Sequence, residues 1–362
     1  MMKDRLLVLS RYSRMGASSR LRTMQYEPWL EEAGFEVEYS ALFDDKYLKC
    51  LYSGQGSKID FFKYYFKRIV QLRRSAQFKL IWIEYEALPW LPWFVERALL
   101  PSAVSIVSDY DDAIFHRYDQ HRSQFVKKFL GQKINNIMRY SKLVTVGNGY
   151  LANHARNACS ESVMLIPTVV NLSQYSQNLE FCKKPAVKIG WIGTPNTWLT
   201  FGKEKYNLLQ ETLISNNAIF AAVGAQLHAE RFGILEMIPW SEGTEVNDIL
   251  SMDIGIMPLD NSAWSKGKCG YKLIQYMACG LPVVASPIGV NKAIVEHGVS
   301  GFLAENDEEW LHYINILLSD KDLRHRMGSA GRKKVEKEYS LQVWGPKVAS
   351  MLRQITDEAK IS

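Results

Sequence analysis

The sequence predicts an α/β protein of two Rossmann-like domains with parallel sheets. Two observations carry that reading: short apolar runs recur along the chain with helical segments between them, and each half opens on a strand that runs into a glycine. The 362 residues are too many for one ordinary core and too few for three. With 47% hydrophobic and 23% charged residues, the composition is that of a globular protein, neither disordered nor membrane-embedded.

In the first half the apolar runs fall at 6–10, 80–83, 104–107 and 143–146, and in the second at 187–192, 219–223, 254–257 and 282–285. Their length and lack of alternation are those of strands buried on both faces, as in doubly wound sheets. Between Ile166 and Pro185 the pattern is interrupted by Pro167, a polar stretch and Lys183-Lys184-Pro185. This places an N-terminal domain at 1–170, a C-terminal domain at 185–340 and a closing helical segment at 341–362. Gly345-Pro346 is expected to break the helix that precedes it, leaving 347–358 as the last one.

Five cysteines, Cys50, Cys159, Cys182, Cys269 and Cys279, form no C-x-x-C pair, and no histidine cluster has metal spacing. Neither a disulfide framework nor a metal site is expected, and a reducing cytoplasm fits best. The start of the chain reads as a first strand, its apolar run being too short for a signal-peptide core. No stretch approaches the ~20 apolar residues of a membrane span. A net charge of +6 is mild and suits nucleotide phosphates or an anionic membrane surface equally, while no motif supports nucleic-acid binding.

The first strand leads into Ser10 to Arg20, with Gly16 ahead of a helix that Gly34 would cap. Gly16 would let backbone approach a ligand, with Arg14 or Arg20 near an anion; a plain βα turn capped by Ser18 explains the same residues. The second half opens with Gly190-Trp191-Ile192-Gly193-Thr194, which makes Gly193 and Thr194 candidates for a diphosphate at the strand's carboxyl end. The string lacks the G-x-G-x-x-G of dinucleotide enzymes.

The densest signal runs from Trp264 to Ser286, a glycine-broken basic loop, a helix, Gly280-Leu281-Pro282 and a strand. With the helix starting near Cys269, Gly270, Lys268 and Lys272 gather at one end, and the two lysines, four apart, share a face. Two solvated surface lysines are the alternative.

Here the sequence resembles a known family. Tyr276-Met277-Ala278-Cys279-Gly280-Leu281-Pro282-Val283-Val284-Ala285-Ser286, Ile288-Gly289 and Gly298-Val299-Ser300-Gly301-Phe302-Leu303 look like the donor-domain signature of family-4 retaining glycosyltransferases, the glycosyl transferases of group 1. Gly16 to Arg22, Val146-Gly147-Asn148-Gly149-Tyr150-Leu151 and Ile166 to Asn171 add to it. The resemblance implies a GT-B fold with an active-site cleft between the domains. It implies a nucleotide-diphosphate-sugar held mainly by the C-terminal domain, an acceptor on the N-terminal domain and a final helix crossing back. It also implies transfer with retention, no cofactor and no required metal. Surface polysaccharide, lipopolysaccharide or glycolipid synthesis is the role that follows.

Two glutamates eight positions apart are frequent in the family, and Gly267 and Gln275 stand in their places. Thr194 occupies a position usually held by Arg. Gln275 remains able to bond ribose hydroxyls, and Lys268 and Lys272 to supply positive charge. The departures mark a divergent branch; the alternative is a catalytically silent nucleotide-sugar-binding protein.

In the first half, Ser108 to Arg117 follows a strand and sits where the family often places a cleft histidine. Asp112 and His116 are the candidates for contact with sugar or acceptor and for moving a proton. Asp109 and Asp111 beside them also fit an acidic helix start, without a second ligand cluster for a metal. Glu84 and Glu86 end another strand directed to the same region.

Between Lys58 and Lys79 basic residues interleave with aromatics, and Phe61, Phe62, Tyr65, Ile69 and Leu72 form one helical stripe. That stripe fits an anionic membrane, which would bring a lipid-linked acceptor within reach, and it fits packing on the N-terminal sheet equally well. Trp90, Trp93 and Phe94 read as an interfacial anchor or a pocket wall.

Overall fold

A computed structural model describes residues 3–52, 60–158, 160, 162–176, 186–226 and 228–361. Lys58, Cys159, Cys182 and Lys183-Lys184-Pro185, used above, lie outside the described residues. The chain divides into two compact units, the first Met1–Thr168 with Lys266–Cys269 and Trp344–Ser362, the second Val169–Ser265 with Gly270–Val343.

The first unit carries β1 (Asp4–Tyr12), β2 (Phe35–Phe43), β3 (Leu80–Glu84), β4 (Ser105–Tyr110), β5 (Leu143–Val146) and β6 (Val163–Leu165). They form a parallel sheet ordered β2-β1-β3-β4-β5-β6. Leu6 to Leu9 on β1 and Leu80 to Ile83 on β3 are fully or almost fully buried, which is why these runs show no alternation. The chain leaves β1 toward β2 and then returns to β3 on the other side, so the order reverses between β1 and β3. Ligands of open α/β sheets bind outside the carboxyl ends of strands at such a reversal.

The second unit carries β7 (Lys188–Ile192), β8 (Ile219–Val223), β9 (Glu230–Phe232), β10 (Leu235–Ile238), β11 (Ile254–Met257), β12 (Val283–Ala285) and β13 (Gly301–Leu303). Their order is β13-β12-β11-β7-β8-β10-β9, parallel throughout except for β9, which pairs antiparallel with β10 at the edge. Phe220 and Ala222 enter one apolar core and Ala221 and Val223 another, so β8 is covered on both faces. Here the order reverses between β7 and β11.

The helix Phe61–Arg73 divides its aromatic stripe. Tyr65, Ile69 and Leu72 pack into the first unit's core, and Tyr65 Oη donates to the Pro89 carbonyl at 2.7 Å. Phe62 and Phe66, at 80% and 59% exposure, face outward and stack on one another, so one helix has a packing face and an exposed aromatic edge. Arg68, on the same helix, is buried and donates to the Ser10 and Ser40 carbonyls, each at 2.8 Å.

The end of the chain corrects the sequence reading. One helix runs Leu341–Ile361 with Pro346 inside it, so Gly345-Pro346 breaks nothing. Proline lacks the N–H that would bond the Gln342 carbonyl, so the helix continues through this point with one bond fewer. Gly345 is needed for another reason: a Cβ there would stand 2.4 Å from a ring carbon of Trp29.

Candidate functional site

In the first unit the carboxyl ends of β1, β3, β4 and β5 gather most of the polar side chains the sequence singled out. Beyond β4, Asp112 meets Lys268, whose Nζ donates to both carboxylate oxygens at 2.8 and 3.1 Å. Burial pushes the Asp112 carboxyl above its ordinary value while Lys268 pulls it down. The Lys268 ammonium is held above its ordinary value, burial being outweighed by the Asp112 charge. This is a carboxylate kept beside a cation in a partly buried setting.

Close approach holds the Lys266–Cys269 segment in this place. Asn148 follows β5 and caps the helix Gly149–Asn157, its Oδ1 accepting from the Leu151 N–H at 2.9 Å. Its Nδ2 donates to the carbonyls of Gly267 and Lys268 at 2.9 and 3.0 Å. Cys269 Sγ donates to the Asp111 carbonyl at 3.0 Å. A Cβ on Gly147 would stand 2.1 Å from Cys269 Sγ, and one on Gly267 2.8 Å from the Ala113 nitrogen. Side chains at either position would push the segment off its seat.

His116 is engaged elsewhere. Its Nε2 pairs with Tyr150 Oη at 2.7 Å and its Nδ1 with Asp119 at 2.9 Å, and it makes no hydrogen bond to Asp112. Asp111 accepts from Tyr85 Oη, and Tyr85 holds a left-handed φ of 61°. A tyrosine in that region is strained, a feature that collects at functional sites.

Other acidic residues near these strands are structural. Asp109 takes a two-pronged bond from buried Arg22, at 2.9 and 2.7 Å, and Arg22 also donates to the Ile166 carbonyl at 2.6 Å. Glu86 is buried against Lys133 at 2.7 Å and accepts from Tyr118 Oη at 2.9 Å. Neither carboxylate is open to a ligand, which corrects the reading of both as site candidates. Glu84 is buried too, its Oε2 accepting from the Arg11 N–H at 2.9 Å and from Ser19 Oγ at 2.6 Å. Among the described residues its Oε1 has no hydrogen-bond partner, and burial pushes the carboxyl up to about 7.

Gly16 has a packing reason to be glycine. It precedes the helix Ala17–Arg22 with an ordinary φ of −72°, and a Cβ on it would lie 2.4 Å from Tyr12 Cβ. The close approach that requires glycine is to Tyr12.

In the second unit, Gly193 and Thr194 follow β7 at the strand-order reversal, as expected. A Cβ on Gly193 would lie 2.5 Å from Trp191 Cη2, and Thr194 caps the helix Pro195–Thr197 through a capping box with Thr197. The following site helix is Tyr271–Ala278, headed by Gly270 at φ 67°, a conformation that glycine adopts without strain. It starts two residues later than expected. Lys268 therefore lies outside it, and the shared helical face of Lys268 and Lys272 is overturned. Lys272 stands at that helix's first turn with Nζ 4.4 Å from the centre of the Trp191 ring.

Gln275 is 2% exposed, and its Nε2 donates to Glu245 and, at 3.1 Å, to Tyr175 Oη. Glu245 also accepts from Trp240 Nε1 at 2.6 Å. The carboxylate that meets position 275 comes from another helix, Glu245–Leu250. Gln275 is interior, which corrects its expected exposure to ribose.

Sequence reasoning missed Glu245, Tyr85 and Tyr150. Tyr150 lay inside the Val146 to Leu151 string; Glu245 and Tyr85 carried no local signal. Among the described residues no group of three or more His, Cys, Asp or Glu is placed to hold a metal ion, and no helix is long and apolar enough to cross a membrane.

The family model "Glycosyl transferases group 1" matches residues 216–334. Spore coat protein SA of Bacillus subtilis (strain 168) is 35% identical over 69 residues, which is 18% of this chain and 18% of that protein. Sucrose-phosphate synthase from Thermosynechococcus elongatus matches in structure with a TM-score of 0.69 at 14% identity, over 98% of this chain and 100% of that one. HepE from Anabaena, in complex with UDP-glucose, matches with a TM-score of 0.67 at 15% identity, over 97% and 99% of the two chains. These likenesses establish the fold class, α/β with parallel-sheet Rossmann-like domains.

Proposed function

We propose that the chain is a glycosyltransferase that moves a sugar from a nucleotide-diphosphate-sugar to an acceptor with retention and without a resident metal. The observation that carries this reading is the family match over 216–334, which contains Gly270, Lys272, Gln275 and the glycine-rich block that follows them. HepE in complex with UDP-glucose makes a UDP-hexose the first donor to try.

In the second unit, the turn at Gly193 and Thr194 and the start of the helix led by Gly270 would receive the diphosphate. There the helical N–H groups and Lys272 favour negative charge. The Glu245–Gln275 pair would sit behind that site as its support. In the first unit, Asp112 would accept a hydrogen bond from the acceptor hydroxyl, and Lys268 would set the charge of Asp112 and stabilise negative charge that develops in the transition state. His116, held by Tyr150 and Asp119, would position the sugar. A retaining transfer needs no protein nucleophile if an oxygen of the departing phosphate takes the acceptor proton on the same face.

The acceptor we infer is a glycan or lipid-linked intermediate of surface polysaccharide, lipopolysaccharide or glycolipid synthesis, reached on the cytoplasmic side of a membrane. The outward edge of Phe62 and Phe66 supports a peripheral contact, with Lys63 and Lys67 on the same helix.

The test is a screen of UDP-, GDP- and other nucleotide-sugars for binding and nucleotide release without added metal, repeated on Lys272→Ala and Lys268→Ala. Lys272→Ala should abolish donor binding, whereas Lys268→Ala should keep binding and lose turnover. The silent-partner reading draws on Gly267 and Gln275 at the glutamate positions. It wins if one donor binds tightly but no acceptor extract ever releases nucleotide from it.

A further inference from the structure

Tyr85 and Asp111 stand next to the Asp112–Lys268 pair, and the reaction proposed above gives them no part. Tyr85 is 5% exposed, and its left-handed φ of 61° is held by bonds to both of its peptide groups. Its N–H donates to the Asp109 carbonyl at 3.0 Å, and its own carbonyl accepts from Tyr110 Oη at 3.0 Å. Glycine would adopt such a backbone without strain, but it carries no hydroxyl. The Tyr85 hydroxyl lies between the helix that follows β1 and the turn that follows β4, donating to Asp111 Oδ1 and standing 3.4 Å from Ser18 Oγ.

Asp111 is thereby fixed from two sides. Tyr85 holds one carboxylate oxygen, and Cys269 Sγ donates to the Asp111 backbone carbonyl at 3.0 Å. This ties Asp111 to the segment that carries Lys268, whose own carbonyl Asn148 holds at 3.0 Å. The two neighbouring carboxylates are left in different states. Asp112 has both oxygens bonded to Lys268, at 2.8 and 3.1 Å. Asp111 is partly exposed, and among the described residues its Oδ2 has no hydrogen-bond partner and is not closed to water. A carboxylate fixed by one oxygen and open at the other is placed to receive a hydroxyl, whose bond to an ionised oxygen is stronger than one between neutral groups. With both carboxylates ionised beside one ammonium, negative charge is in excess here, which suits a neutral hydroxyl and opposes an anionic group.

We propose that Asp111 is a second acceptor-binding carboxylate and that Tyr85 is the positioning residue that holds it. The acceptor then presents two hydroxyls, one to Asp112 and one to Asp111, so its receiving end is a sugar or other polyol and not a lone alcohol. This rests on the transferase reading for the word acceptor, whereas the polyol site itself does not.

The test uses the full chain and neutral probes: the methyl glycosides of glucose, galactose and mannose, with cyclohexanol as the control that has one hydroxyl. Saturation-transfer NMR titrations should show saturable binding of at least one glycoside, and binding of cyclohexanol roughly tenfold weaker or less. Tyr85→Phe keeps the ring and removes only the hydroxyl; it should weaken the glycoside roughly tenfold, as should Asp111→Ala. Because Tyr85 acts through Asp111, adding Tyr85→Phe to Asp111→Ala should cost nothing further, a non-additivity that a merely structural tyrosine would not produce. Asp111→Asn keeps the size and an oxygen for Tyr85, serves where Asp111→Ala fails to fold, and should also weaken the glycoside because the ionised acceptor is gone. Additive losses overturn the proposal, as does glycoside affinity unchanged in Tyr85→Phe and Asp111→Asn. Cyclohexanol binding as tight as that of the glycosides, or no glycoside binding at all, overturns it too. Donor binding is titrated separately with UDP-glucose. Its absence with the glycoside results as expected defeats the transferase reading alone, and the reverse result defeats the polyol site alone.

Discussion

Lys268 Nζ donates to both carboxylate oxygens of Asp112, at 2.8 and 3.1 Å, although 156 positions separate the two residues. Each partner sets the charge state of the other, so their effects on turnover should not add. Asp112→Asn and Lys268→Ala are each expected to lower kcat/KM by roughly 10². The double variant should be no worse than the poorer single one. Steady-state rates of nucleotide release check this, and additive losses would show that the pair does not act as a unit.

Glu84 gives a pH prediction. Its carboxyl is raised from the ordinary 4.5 to about 7 by burial, so between those values the folded chain binds a proton that the unfolded chain has released. The associated stability is therefore fully present below pH 4.5 and lost as pH rises through about 7, at most about 3 kcal/mol in all. Glu84→Gln keeps an oxygen for Ser19 and the Arg11 N–H and removes the titration. Denaturation measured from pH 4.5 to 8 should lose that slope in the variant, and an unchanged slope would clear Glu84 of the effect.

Gly147 and Cys269 should couple. Gly147→Ala puts a methyl group 2.1 Å from Cys269 Sγ and is expected to destabilise the first unit by about 1–3 kcal/mol. Cys269→Ala removes the sulfur and should recover part of that loss. A thermal-shift cycle over the four proteins measures the coupling, and strict additivity would contradict the close approach.

Gln275→Glu, which places the glutamate that the resemblance implies at this position, is expected to harm the protein. It would set a second carboxylate against Glu245 in the interior of the second unit, where like charges are costly. Loss of donor affinity together with a lowered Tm is the expected outcome, and a gain in activity would mean that Glu245 does not fill the role.

Phe62→Ser with Phe66→Ser should leave Tm within a degree or two, since neither ring is buried. The same pair should weaken binding to anionic vesicles in a sedimentation assay. Unaltered binding would remove these rings from any membrane contact.

Much of the architecture was legible in the sequence. Every strand expected from an unbroken apolar run is present, because central strands of a parallel sheet need apolar side chains on both faces and so write themselves as continuous runs. The edge strands β2, β6, β9 and β13, and β10 next to the edge, escaped, since they are short or mixed in polarity and their pairing is decided by neighbours. The glycines of the site were visible, yet only steric surroundings show that Gly16 makes way for Tyr12 and Gly193 for Trp191.

What the sequence by itself determined is therefore the local part: two series of buried strands, the glycine turns at their carboxyl ends, and the block from Gly267 to Gly301 that carries the family resemblance. What only the tertiary structure decided is which charges meet. It gave Lys268 to Asp112, Arg22 to Asp109, His116 to Tyr150 and Glu245 to Gln275, all of them far apart in the chain except by folding. The physical reason is that apolar burial is periodic and leaves its period in the sequence. An ion pair or hydrogen bond between distant residues depends on a few ångströms of spacing, which no local pattern records.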